Sequence, residues 1–299
     1  MSHPAWDTEV LARISHLHLR ARQAVAGWRT GDHRSIRTQA NVEFVDYKEY
    51  SPGDPIRHLD WRVAARSDRL VIKRHAAETE VPVTLVVDVS GDLGTGAESL
   101  PDLDGTKHGA AVTLAATLAV FLQRHGDPVG LQLLGGEGSP WSEIPPKSGS
   151  GQLAQIVGAL AAVRPQGEAK LVDSLQRIGD RLPRRGVVVL ISDLMEEPSA
   201  WGPSLAALGH RGIDLRVIHL YDRKEWGMDW TAPAQLFSPE GGEAVAVDPG
   251  VARSTFASVV EEYLEEVQGW LGRVGAHYHC MASDTPPDEA LASVLRGQA

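Results

Sequence analysis

From residue 81 onward the chain alternates short runs of Val, Leu and Ile with longer segments of helical character, as at 83–87 and 187–191. Runs without a regular polar alternation indicate strands buried on both faces, and helices between them indicate parallel pairing. Because such crossovers are right-handed, the pattern predicts an α/β fold with a doubly wound, mostly parallel, Rossmann-like sheet and helices on both faces. The predicted strands are 83–88, 129–134, 187–192, 213–220 and 276–281, with a short edge strand at 141–144.

Two further regions complete the predicted organisation. Residues 1–80 are expected to form a smaller N-terminal α+β segment packed on the core, with a helix within 6–30 and a strand near 70–73. Residues 81–299 then form the α/β domain, interrupted at about 222–250 by an insertion with a hairpin signal at Pro239–Glu243.

Composition narrows the class of protein. A chain of 299 residues, 42% of them hydrophobic, can bury one large core and a smaller unit, and its net charge of -10 argues against generic nucleic-acid binding. Its single cysteine, Cys280, excludes an internal disulfide and a thiolate zinc cluster. With no signal peptide and no apolar run long enough to cross a bilayer, we expect a soluble cytoplasmic protein without a transmembrane segment. The arginine-rich stretch Arg13–Arg37 keeps a nucleic-acid adaptor as a minor rival.

Acidic residues follow two of the predicted strands. Asp88 ends the run 83–87, with Ser90 and Asp92 close behind it, and Asp193 follows the run 187–191. If these strands are neighbours in a parallel sheet, their carboxyl ends bring the acids together, and Mg²⁺ prefers such oxygen ligands. The sequence therefore predicts a metal site at Asp88, Ser90, Asp92 and Asp193, for Mg²⁺ or alternatively Mn²⁺ or Ca²⁺. The competing interpretation is that the acids only cap loops by accepting backbone N–H groups.

Two motifs carry a family resemblance. Asp88-Val89-Ser90-Gly91-Asp92 resembles the D-x-S-x-S metal-ion-dependent adhesion site of von Willebrand factor A domains. Residues 43–61 resemble the signature of a bacterial family called domain of unknown function 58, and Lys107 at the start of the first helix is a further match. The motif residues assigned a structural role are Tyr50, Gly53, Asp54, Arg57, Asp60 and Trp61.

The resemblance implies a von Willebrand A-like domain that recognises other proteins without catalysing a reaction. It implies an adaptor or co-chaperone of a MoxR-type AAA+ ATPase, or a protein that binds that machine's client. The metal would keep one position open for an Asp or Glu of the partner. Two departures weaken the metal site, since Asp92 stands where the family has serine and Ala169 where it has threonine. We therefore expect partners to bind either at a divalent-cation site or at its degenerate remnant.

The expected partner-binding surface surrounds these acids. Gly91, Gly94 and Thr95 lie beside the predicted site, and Trp226 and Trp230 lie in a later loop of the kind enriched at binding hot spots. A lid that packs back on the core is an equal interpretation of the two tryptophans. The rival function is a Mg²⁺-dependent phosphohydrolase using the same carboxylates. The sequence lacks the P-loop, nucleophile-elbow and dinucleotide-binding motifs.

Overall fold

The structure is a computed structural model of the chain. It describes residues 8–27, 44–49, 63, 71–75, 81–94, 105–135, 143–167, 170–182, 186–228, 230–236 and 244–296. The chain divides into two compact units, one formed by residues 1–33 with 82–299 and the other by residues 34–81. The segment predicted at 1–80 is thus distributed over both units, because its helix packs against helices of the larger unit.

A six-stranded sheet forms the centre of the larger unit. Its strands are β3 (Val83–Asp88), β4 (Val129–Leu134), β5 (Glu143–Lys147), β6 (Gly186–Ser192), β7 (Ile213–Tyr221) and β10 (His277–Ala282), in the spatial order β10-β7-β6-β3-β4-β5. All neighbouring strands pair in parallel except β5, which runs antiparallel at the edge. Pro145 and Pro146 suit this edge position, because proline has no backbone N–H to donate to a neighbouring strand. The predicted doubly wound, mostly parallel sheet is confirmed.

Helices cover both faces of this sheet. They are α1 (Thr8–Gly27), α2 (Lys107–Arg124), α3 (Ser150–Ala162), α4 (Leu171–Arg181), α5 (Pro198–His210), α6 (Arg223–Gly227), α7 (Pro249–Val274) and α8 (Pro287–Arg296). On one face, residues of α4, α5 and α7 such as Leu175, Leu205 and Leu271 pack against Val86 and Leu190. Because side chains alternate along a strand, the neighbouring Val and Leu residues are buried against the opposite helix layer.

Helix α2 is buried on nearly its whole circumference. It packs against the sheet on one side and against α1, α3 and α8 on the others. The buried residues of α1 are spaced at i, i+4, i+7 and i+8, at Leu17, Ala21, Ala24 and Val25, as for a helix with one apolar face. A helix that is apolar all round needs such cover, which explains the uniform hydrophobicity of 109–122.

Three smaller features complete the fold. In the second unit β1 (Phe44–Glu49) pairs antiparallel with β2 (Val71–His75). In the inserted region β8 (Ala234–Leu236) pairs antiparallel with β9 (Val245–Val247), on either side of the predicted turn, which lies outside the described residues. Among the described helices, none combines the length and the apolar character that crossing a bilayer requires.

Candidate functional site

The direction in which the chain adds strands to the sheet reverses between β3 and β6. From β3 the chain continues to β4 and β5 on one side, then crosses to β6 and β7 on the other. In open α/β sheets the crevice at the carboxyl ends of the strands flanking this switch point is the usual ligand site. Asp88 ends β3, and Asp193 directly follows β6. The structure therefore brings the two predicted acids to the same end of adjacent strands, and both are buried.

Asp88 organises the loop after β3. Its Oδ1 accepts the backbone N–H of Ser90 at 2.9 Å, and its Oδ2 accepts the Ser192 hydroxyl from the neighbouring strand at 2.7 Å. The Ser192 hydroxyl in turn accepts the Leu194 N–H at 3.0 Å. Burial and the nearby charge of Asp193 raise the pKa of Asp88 to about 7, although the hydrogen bonds from Ser192 and Ser90 act in the opposite direction. Asp88 is thus a loop-organising acid, as in the capping interpretation.

Asp193 is paired with a lysine that the sequence analysis did not place in the site. The Lys107 ammonium lies 2.9 Å from Asp193 Oδ2 and 3.0 Å from Glu225 Oε2 of α6. Burial lowers the pKa of Lys107, but the carboxylates of Asp193 and Glu225 outweigh it, and the net pKa is raised. Glu225 is 42% exposed, whereas Lys107 and Asp193 are almost completely buried, so the ion pair reaches from the crevice floor to its surface.

Two local features oppose a cation at the position of Lys107. It is the first residue of α2, directly after the N-cap Thr106, and no acidic residue occupies that helix's first turn. The helix dipole disfavours a cation there by about 0.3–1 kcal/mol, and burial of an ammonium disfavours it further. This conflict is the signal in the sequence that could have identified Lys107 as a site residue.

The crevice also contains oxygens with spare hydrogen-bonding capacity. Among the described residues, Asp193 Oδ1 is buried without a hydrogen-bond partner, and the buried Ser90 hydroxyl, near the Asp88 carboxylate, has hydrogen-bonding capacity to spare. Buried polar atoms are rarely left in this state, so each is a candidate contact for a ligand or a water molecule.

The side chains of the crevice do not, however, form a set of metal ligands that fits the divalent ion implied by the family resemblance. In the described part of the chain no three His, Cys, Asp or Glu side chains are grouped so that they could hold a metal. Asp88 already uses both oxygens on protein donors, and the Lys107 ammonium already neutralises Asp193. Asp92 lies half-buried on the 3₁₀ turn Gly91–Gly94. Direct ligation by Ser90 and Asp92 stays a prediction.

A second group of side chains supports the loop that carries Asp193. His219 on β7 contacts the Tyr278 hydroxyl at 2.8 Å and hydrogen-bonds to the Asp193 backbone. Burial lowers the pKa of His219 to about 4, so it is neutral near pH 7. Leu194 has a positive φ of 52°, and the Tyr263 hydroxyl donates to its carbonyl oxygen. These contacts fix the orientation of Asp193 relative to Lys107.

The predicted partner-binding residues have different positions. The Gly91 N–H donates to Gly167 O at 2.8 Å, and a Cβ on Gly94 would lie 2.6 Å from Pro165 Cγ, so both glycines allow a close approach of the loop 165–167. Trp226 stacks on Tyr221 with ring centroids 4.1 Å apart. Its ring also lies edge-on to His219, at 5.6 Å between centroids.

Trp230 is half-buried, and its carbonyl accepts a hydrogen bond from Arg253 at 3.4 Å. Both tryptophans are partly covered by the protein. Thr95, Ala169 and the motif residues from Tyr50 to Trp61 lie outside the described residues.

Comparison with known proteins identifies a family. The model of the family described as "Protein of unknown function DUF58" matches residues 46–265. Uncharacterized proteins of Mycobacterium tuberculosis and Mycobacterium bovis are 25% identical to this chain over 296 residues, which cover 97% of this chain and 89% of theirs.

Solved structures give more distant likenesses. A conserved hypothetical protein, BatB, from Bacteroides thetaiotaomicron is 13% identical with a TM-score of 0.46, over 72% of this chain and 97% of its own. The VWA domain of SpRpn10 is 10% identical with a TM-score of 0.40, over 73% of this chain and 97% of its own.

Proposed function

The chain belongs to the family described as protein of unknown function DUF58, and from this membership and the site geometry we propose that it is a non-enzymatic protein-interaction module. The binding surface is the crevice at the carboxyl ends of β3 and β6. One observation carries the proposal: in the described part of the chain, Asp193 Oδ1 is buried without a hydrogen-bond partner at the switch point of the sheet. Ligands of open α/β sheets bind at this position.

The rim of the crevice offers apolar contact area. Met195, two residues after Asp193, is 60% exposed, and Trp226 is half-buried beside the Lys107–Glu225 pair. Methionine and aromatic side chains are enriched at protein interfaces, and tryptophan is enriched among hot-spot residues. The chemistry of the centre suits an acidic side chain of the partner, which can contact the Lys107 ammonium where the half-exposed Glu225 now does.

The proposed partner is a MoxR-type AAA+ ATPase or a client of that machine, with this protein as adaptor or co-chaperone. Support for this partner class comes from the sequence resemblance of residues 43–61 and 88–92. The proposed interaction does not require Mg²⁺, because the Lys107 ammonium already places a cation in the crevice.

A charge placed on the crevice rim tests the proposal. Met195→Glu should weaken binding of a MoxR-type ATPase about ten-fold or more, because it buries a new charge in the interface. Fluorescence anisotropy with labelled ATPase measures the affinity. Leu19→Glu is the matched control, since Leu19 is 56% exposed on α1 and should leave the affinity unchanged. Equal affinities of wild type and Met195→Glu contradict the proposed surface.

The phosphohydrolase alternative is checked with the same proteins. We expect no turnover of a panel of phosphate esters in the presence of Mg²⁺. Turnover that Asp88→Ala abolishes would assign the crevice to catalysis.

A further inference from the structure

We infer that Lys107 is the resident cation of the crevice and takes the place that a divalent ion has in metal-dependent adhesion sites. The inference rests on the proposed function for the location of the site, but it concerns the isolated protein and can fail independently. It starts from the observation that the side chains of the described residues do not form a set of ligands for a divalent ion.

The geometry provides the first argument. The ammonium of Lys107 lies within hydrogen-bond distance of one carboxylate from the sheet, Asp193, and one from α6, Glu225. A cation held between an acid of the domain and an exchangeable acid at the surface has the charge arrangement that a bound ion gives to such a site. Here Glu225, at 42% exposure, is the exchangeable acid, and a partner's carboxylate is the group that can replace it.

The position of the lysine provides the second argument. A cation at the first residue of α2 is disfavoured by the helix dipole and by burial at 5% exposure. Among the described residues, the carboxylates of Asp193 and Glu225 offset these terms, so the lysine and Asp193 depend on each other electrostatically. Lys107 therefore has the role of a counterion to the buried Asp193.

Competition for one carboxylate provides the third argument. A divalent ion at the free oxygen of Asp193 would share that carboxylate with the ammonium on Oδ2, and the two positive charges would repel in a poorly hydrated crevice. Removing the ammonium takes from the buried Asp193 the cation that pairs with it, in a crevice that also contains the buried Ser90 hydroxyl. Those donors are oxygens of the kind that Mg²⁺ prefers.

The test is a titration of the purified protein with Mg²⁺, without any partner. Calorimetry measures the heat of binding, and the melting temperature measures the stabilisation. Wild type should show no Mg²⁺-dependent heat or stabilisation beyond that of the matched control Lys147→Met, which removes an exposed lysine at the opposite end of the sheet. Lys107→Met should bind Mg²⁺ at least about ten-fold more tightly than wild type, because the competing charge is gone. The double variant Lys107→Met/Asp193→Asn should lose this gain.

Two results overturn the inference. One is Mg²⁺ binding by wild type that Asp193→Asn abolishes, which assigns the charge to a divalent ion. The other is a folded Lys107→Met that binds Mg²⁺ no better than wild type. If circular dichroism shows Lys107→Met to be unfolded, the wild-type titration with Asp193→Asn decides alone. None of these results depends on the ATPase, so a failed partner experiment leaves them unchanged.

Discussion

At the scale of single residues, Asp88 is a buried acid with two hydrogen-bond donors and, within the part of the chain that the structure describes, no cation in direct contact. Its carboxylate accepts Ser90 N–H and the Ser192 hydroxyl, while the Lys107 ammonium contacts Asp193 instead. Hydrogen bonds offset part of the desolvation of a carboxylate, but burial and the charge of Asp193 prevail and raise the pKa of Asp88 to about 7.

This raised pKa predicts a pH-dependent effect of Asp88→Asn. An acid with a folded-state pKa near 7 and an unfolded pKa near 3.9 takes up a proton on folding between those values, so wild-type stability falls as pH rises through this window. Asparagine does not titrate. The free energy of unfolding of Asp88→Asn relative to wild type should therefore rise by on the order of 2 kcal/mol between about pH 5 and pH 8.

Urea denaturation of both proteins across this pH range measures the difference. The part of the difference that does not vary with pH is the contribution of altered hydrogen bonds, and the change of the difference with pH reports the titration of Asp88. A difference that stays flat across the whole range contradicts the raised pKa.

Sequence reasoning succeeded and failed for distinct reasons at this scale. Asp88 and Asp193 could be assigned to one end of the sheet because a parallel sheet fixes where its strands end. Lys107 was noted as a family match but not placed in the site, since the ion pair with Asp193 joins residues 86 positions apart. Glu225 was missed because the path of α6 across the crevice depends on packing around Trp226 and His219.

At the scale of elements, helices α5 and α7 meet at a glycine. A Cβ on Gly202 would lie 2.4 Å from Trp270 Cε3, so the indole ring occupies the space of a side chain. Trp270 is also covered by the Arg273 guanidinium, 4.2 Å from the ring centroid. The helices after β6 could be predicted from periodicity. The close approach of α5 and α7 could not, because it depends on Gly202 having no side chain where Trp270 packs.

The contact predicts the sign of two glycine substitutions. Gly202→Ala should lower the free energy of unfolding by about 1–3 kcal/mol, because overpacking outweighs the better helix propensity of alanine. Gly269→Ala, in α7 with nothing within 4 Å of the added Cβ, should instead raise it by up to about 1 kcal/mol. Urea denaturation compares the two variants. Equal stabilities of Gly202→Ala and Gly269→Ala would show that Trp270 yields without cost.

At the scale of the whole molecule, the residues that stabilise the larger unit differ from those that we propose to bind a partner. Its sheet and the helices α2, α4 and α5 provide a large apolar core, whereas the buried charged side chains of Asp88, Lys107 and Asp193 lie in the crevice at the ends of β3 and β6. The alternation of apolar runs and helices was sufficient to predict the sheet, because strands buried on both faces have a distinct composition. The sequence predicted an N-terminal segment packed on the core, but not that α1 would contact α2 in particular.

The central claim is that partners dock on this crevice. Hydrogen exchange of the protein alone and in complex with a MoxR-type ATPase tests it most directly, because backbone amides report protection segment by segment. We predict that protection on binding is concentrated in 88–94, 192–197 and 222–228. Protection confined to other surfaces, such as the exposed first half of α7, with unchanged exchange in those three segments, would contradict the claim.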